Sequence, residues 1–149
     1  MKAVAALIWI SFVTVATSET PCEEWKKLGD YCYMRSCGYE TFSDAQTSCN
    51  EENGDLTSIS TEEEYLHIAG LLQDKEPVSA WIGLRRRFKT WKWTDGTWLD
   101  TSEFTPKYLT KWAKSGNCVY MKTKPSGMKR LFGESCTKRH RFVCRKKGC

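Results

Sequence analysis

Trp81-Ile82-Gly83-Leu84 runs for four residues without a polar side chain. An aromatic, a β-branched and an aliphatic residue around a glycine read as a strand buried on both faces, with the glycine leaving room for a neighbouring backbone. Three arginines follow, and then Trp91-Lys92-Trp93 alternates at period two and ends in Asp95-Gly96. That dipeptide supplies the positive φ of a tight hairpin turn. The stretch is therefore the centre of a β core followed by a turn, and the rest of the chain has to pack around it.

The N-terminus sets the compartment. Lys2 precedes small and apolar residues through Val15, and Ala16-Thr17-Ser18 fits a signal-peptidase site that cuts before Glu19. The apolar run falls short of the about 20 residues that hydrocarbon requires, and no second one follows, so residues 1–18 read as a leader and the protein as secreted and extracellular, without membrane insertion. The remaining 131 of the 149 residues suit a single domain, 19–149.

All 8 cysteines lie in that mature part, at 22, 32, 37, 49, 118, 136, 144 and 149. In an oxidising compartment an even count reads as a disulfide framework. Zinc is disfavoured, because no Cys-x-x-Cys occurs and there are only 2 histidines.

The net charge of +5 hides a strong polarity. Residues 1–80 hold 5 Lys and Arg against 14 Asp and Glu, or −9, whereas residues 81–149 hold 18 against 4, or +14. Such a chain carries a strong surface field unless its halves interleave and neutralise.

In chain order, Cys22 to Cys32 reads as a short hairpin closed by its own disulfide. Thr41 can cap a helix from Phe42 with Asp44 in its third position, putting Phe42, Ala45 and Cys49 on one face. Residues 53–55 end that helix, and residues 56–59 are briefly extended. Ser60 with Glu63 forms a capping box for a second helix carrying Tyr65, Ile68, Ala69 and Leu72. After Pro77 the period is two, in short strands, through Phe142-Val143-Cys144. A hairpin, two helices and then strands indicate an α+β fold.

These residues carry a resemblance. Cys49, Gly54-Asp55-Leu56 with Ile59, the capped second helix, Trp81-Ile82-Gly83-Leu84, Trp91-x-Trp93-x-Asp95-Gly96, Cys118-Val119, and Cys136 with Phe142-Val143-Cys144 resemble the C-type lectin-like domain over residues 22–144. The resemblance implies a C-type lectin-like fold of two helices and short antiparallel sheets, and a binding module rather than an enzyme. It also implies the pairs Cys22 with Cys32 (the long form), Cys49 with Cys144, and Cys118 with Cys136. Cys49 to Cys144 joins the first helix to the last strand across 95 residues, a loop worth about 4–5 kcal/mol in chain entropy. Cys37 and Cys149 stay unassigned, free to pair with each other or to bridge to a second lectin-like chain.

Sugar-binding members of the family hold their ligand through calcium, which needs six to eight oxygens. These come from a Glu-Pro-Asn or Gln-Pro-Asp triplet, a carboxylate two residues before one core cysteine, and a Trp-Asn-Asp triplet before the next. Here the matching positions are Thr105-Pro106-Lys107, Gly116, and Phe132-Gly133 in the places of Asn and Asp. Asp95, Asp100, Glu103, Asn117 and Glu134 could donate oxygens but have no ligand spacing. No metal and no cofactor is expected.

What stands in the loop's place is basic. Lys107, Lys111, Lys114, Lys122, Lys124, Lys129 and Arg130 are interleaved with Tyr108, Trp112, Tyr120 and Met121, while Arg85, Arg86, Arg87 and Lys89 occupy the turn after the core strand. Lys138, Arg139 and Arg141 precede the last strand. Guanidinium forks grip sulfate, phosphate or carboxylate, and aromatic rings offer faces to sugars, so sulfated or sialylated glycans are the expected partners. Any single lysine here is a solvated surface residue; the sum carries the reading. Trp91, Trp93 and Trp98 read as core, Trp112 as core or ligand platform, and His67 and His140 as exposed.

No nucleophile with a base, paired carboxylates or phosphate loop is present, which argues against catalysis. Nucleic acid is disfavoured as a partner by secretion and by the lack of a groove-reading element. The leading expectation is calcium-independent, heparin-type binding to polyanionic glycans or to the anionic surfaces of cells and microbes, as in innate immunity. The alternatives are a protein-binding module dimerised through Cys37 or Cys149, as in venom or receptor relatives, and contact with mineral.

Overall fold

The computed structural model describes residues 22–99 and 115–149. The expected leader at 1–18 and Lys107, Lys111, Trp112 and Lys114 lie outside the described residues. Eight strands and two helices follow in the order β1 (Lys26–Leu28), β2 (Tyr31–Arg35), α1 (Phe42–Glu51), β3 (Asp55–Leu56), α2 (Glu62–Leu71), β4 (Val78–Arg87), β5 (Thr90–Trp93), β6 (Cys118–Thr123), β7 (Lys129–Glu134) and β8 (Arg141–Lys147). The strands form one sheet path, β1-β2-β8-β4-β6-β7, with β3 on β8 and β5 on β4. All pairings are antiparallel except β4 with β8, which run parallel.

β4 is buried on both faces because each face meets a helix. Ile82 and Leu84 pack with Tyr65, Ile68 and Leu72 of the α2 side, while Trp81 packs with Phe42, Ala45 and Cys49 of α1. The Trp81 indole N–H donates to the Glu40 carbonyl at 3.0 Å, satisfying the one polar atom it buries. Between them Gly83 touches backbone directly. Its N–H donates to Thr57 O and its carbonyl accepts from Thr94 N–H, both at 2.8 Å. A Cβ there would stand 2.7 Å from the Thr94 hydroxyl and closer still to the Leu56 carbonyl oxygen.

The helix caps obey local chemistry. Thr41 caps α1 and accepts from Asp44 N–H at 3.3 Å. The second cap lies one residue beyond the expected Ser60 and Glu63: Thr61 accepts from Glu64 N–H at 3.1 Å, and Glu64 reaches back to the N–H of Thr61 and of Ser60. Both registers satisfy the capping pattern. Glu64 wins because its carboxylate also accepts from the Tyr33 hydroxyl at 2.8 Å and from Arg145 at 3.1 Å, contacts that Glu63, exposed on another face, cannot make.

The N-terminal hairpin forms, but Cys22 does not bond Cys32. Lys26 pairs with Tyr33, and continuing that register outward brings Cys22 opposite Cys37, whereas Cys32 faces Lys27. The bonds are Cys22–Cys37, Cys32–Cys149, Cys49–Cys144 and Cys118–Cys136. Cys149 reaches Cys32 because β8 lies beside β2 and Gly148 N–H docks on the Asp30 carbonyl at 3.0 Å. Cys37 and Cys149 are both taken up within the chain, and no free cysteine is left to bridge to a second copy.

Two measurements check this architecture. Gly83→Ala will lower the unfolding free energy by roughly 1–3 kcal/mol or more in urea titration, since the colliding atoms include fixed backbone. Peptide mapping of the non-reduced protein will recover Cys22 linked to Cys37 and Cys32 to Cys149, and a Cys22–Cys32 peptide would contradict the register.

Candidate functional site: two cationic ends of one strand

The expected basic residues fall into two groups. β4 and β6 run antiparallel with Val78 opposite Thr123 and Arg85 opposite Cys118, so Lys122 and Lys124 sit at the start of β4 and the three arginines at its end. β7 extends the first group, placing Arg130 opposite Lys122 and Lys129 opposite Thr123. At about 3.3 Å per residue, Arg86 and the Ser79–Lys122 position are separated by about 23 Å. The two basic stretches expected from sequence thus lie at opposite ends of β4.

Arg85, Arg86 and Arg87 belong to the strand itself rather than to the turn. The turn is only Phe88-Lys89, closing Arg87 against Thr90, with Phe88 at φ 57 and wholly exposed. Period-two alternation then divides the arginines. Arg86 pairs with Trp91, lies 5.4 Å from its ring centroid, and donates to the Asn117 side chain at 3.3 Å. Arg85 and Arg87 turn the other way, with Lys92 opposite Arg85. They line a cleft of about 440 Å³ against α1, whose wall is Phe42, Ser43, Gln46 and Thr47. Lys92 was not among the expected contacts, though a two-residue turn places it by register alone.

The aromatic and histidine expectations divide similarly. Trp93 is buried and Trp91 partly so, but Trp98 is 65% exposed, with the Lys92 ammonium 4.8 Å from its ring centroid. Neither histidine is exposed. His67 packs edge-on to Tyr33 at 5.1 Å, and His140 bonds Glu134, stacks on Tyr120 at 4.4 Å and meets Trp81 edge-on. Rings on the neighbouring strands enclose the imidazole more effectively than its basic flank in sequence suggests.

Among the described residues, the oxygens that could have held calcium are otherwise engaged. Asn117 is bonded by Arg86, Glu134 by His140, and Asp95 by Arg145 at 3.3 Å and by the Thr97 hydroxyl and N–H. At Gly116, where the family carries a carboxylate, a Cβ would overlap the Glu134 backbone. Among the described residues no three acids, histidines or cysteines cluster in a way that could hold a metal, and Asp100 and Glu103 lie outside them.

Arg145 ties the polarised halves together. Its guanidinium bridges Glu64 and Asp95 and lies 4.1 Å from the Tyr31 ring centroid. Burial and the bond to Glu64 push the Tyr33 phenol well above its ordinary value. At Asp95 burial works to raise the carboxyl, but the bonds from Thr97 and Ser58 and the Arg145 charge outweigh it and hold it below the usual carboxylate range. Stability from Asp95 is therefore complete above the ordinary aspartate value of about 3.9 and is lost as pH falls from there through the lower folded value. Asp95→Asn will lower the melting temperature at neutral pH and flatten its decline below about pH 4; an unchanged acid slope would refute this.

Comparison with known proteins places the architecture. A family model described as "Lectin C-type domain" matches residues 39–146. Human lithostathine-1-beta is 31% identical over 120 residues, covering 77% of this chain and 71% of that protein. A solved structure of human lithostathine superposes with a TM-score of 0.70 at 27% identity, covering 85% of this chain and 98% of that one. A structure titled a calcium-independent type II antifreeze protein superposes at 0.68 with 25% identity, covering 84% and 92%. The chain belongs to the C-type lectin domain family, whose members are binding proteins and not enzymes.

Proposed function

We propose that this protein is a secreted, calcium-independent lectin-like module that binds polyanionic glycans, sulfated or sialylated, and the anionic cell or microbial surfaces that display them. The observation that carries the reading is uncompensated charge. Among the described residues Arg85, Arg87 and Lys92 at one end of β4, and Lys122, Lys124, Lys129 and Arg130 at the other, make no ion pair with an acid. Loss of the calcium oxygens supports the same conclusion, as does a relative in fold that is itself titled calcium-independent. The leader at 1–18 supports export, and among the described residues no helix is long and apolar enough to cross a membrane.

Separation of the two ends selects the ligand. A short sugar engages one end, whereas an extended polyanion crosses about 23 Å and engages both, so avidity favours long chains. Lys107, Lys111, Trp112 and Lys114 are proposed to add contacts from the segment outside the described residues.

Heparin chromatography tests this. With about six cationic contacts, affinity falls roughly a thousandfold between 50 and 200 mM salt, borrowing the polyelectrolyte relation for DNA. EDTA will leave retention unchanged, and Lys129→Glu with Arg130→Glu will elute at clearly lower salt. Loss of retention in EDTA, or elution of the native protein near 50 mM salt, would contradict the proposal.

A further inference from the structure

The cleft between α1 and the β4–β5 hairpin is lined by a residue that carries an unpartnered polar atom. Arg85 Nε is buried without a hydrogen-bond partner. Buried guanidinium nitrogens are ordinarily paired, because leaving one unpaired costs a full desolvation penalty. Arg87 and Lys92 share the cleft with it, and among the described residues none that lines it is acidic. Three cations thus converge on a concavity whose volume of about 440 Å³ lies within the range of small-ligand sites.

The opposite wall has different chemistry. Thr47 lines the cleft, and its hydroxyl donates to the Ser43 carbonyl at 3.1 Å, which leaves the oxygen able to accept. Gln46 is fully engaged, donating to Asn50 and Asp55 and accepting from Leu56 N–H. One side of the cleft therefore offers cationic donors, and the other offers a hydroxyl that can accept. A sugar bearing an oxyanion presents both complements at once, since the anion satisfies the forked donors and a ring hydroxyl donates to Thr47.

We infer that this cleft is a discrete binding site for a single sulfate- or carboxylate-bearing sugar, with Arg85, Arg87 and Lys92 gripping the oxyanion. It deepens the proposed function but does not depend on it, because one sugar unit suffices and the distant Lys129–Arg130 end takes no part.

The test is a titration of the intact, disulfide-bonded mature chain, isotope-labelled and followed by amide chemical shifts. The probes are galactose 6-sulfate, N-acetylneuraminic acid and plain galactose. One of the charged sugars will shift the amides of Ser43, Arg85, Arg87 and Lys92, and the tighter of the two identifies the preferred oxyanion. Galactose will not shift them. Arg85→Gln and Arg87→Gln will each weaken binding about tenfold, whereas Lys27→Gln, on the exposed face of β1, will not. Arg87 is exposed, so its variant folds even if the Arg85 variant does not. Equal shifts from galactose, unchanged affinity in the Arg87 variant, or shifts confined to Lys129 and Arg130 would each overturn the site. Retention on heparin without sugar binding would refute this cleft alone, and sugar binding without retention would refute the polyanion reading alone.

Discussion

The contact at Gly83 governs the rest of the molecule. Because that residue lacks a side chain, the Leu56–Thr57 backbone and the Thr94 backbone both reach β4 at one point, from the two directions in which its neighbours lie. The β3 strand and the β5 hairpin are thereby locked to the same residue, which sets the hairpin's arginines relative to α1. A side chain there would force these segments apart and with them the walls of the cleft, so a packing constraint in the core determines the geometry of a surface cleft.

Charge polarity along the chain becomes polarity in space by a less direct route. β8, from the basic half, inserts between β2 and β4, and its Arg145 is neutralised by Glu64 and Asp95. Arg35 on β2 is likewise paired with Asp74, and Lys26 on the edge strand β1 with Glu24. The cations at the hairpin ends project past the strands that could have supplied acids, so burial of β8 consumes one arginine while leaving both ends of β4 positive. That distribution is what the proposed binding of a long anionic polymer draws on.

Much of the fold was legible because local rules and tertiary demands coincide. Trp81 through Leu84, the Thr41 cap, and the alternation around Trp93 follow from periodicity and capping chemistry. The misplaced cap at Ser60 arose where two registers satisfied the same rule, and only the distant Tyr33 and Arg145 distinguish them. Cys22 with Cys37 follows from the hairpin's register, whereas the family resemblance implies Cys22 with Cys32. The distribution of cations was not legible at all, since Lys122 and Arg86 are separated in space only because β6 runs antiparallel to β4. Trp98 and His140 fail for the converse reason: composition assigns each an environment that neighbouring strands then reverse.

The central claim is that the two ends of β4 seize oxyanions without help from a metal. Hydrogen–deuterium exchange of the native protein, with and without a heparin-derived oligosaccharide, examines it most directly. Protection at residues 84–93 and at 119–131 together, the same in EDTA as in calcium, is the predicted result. Protection restricted to the acidic first turn of α2, or appearing only when calcium is supplied, would contradict it.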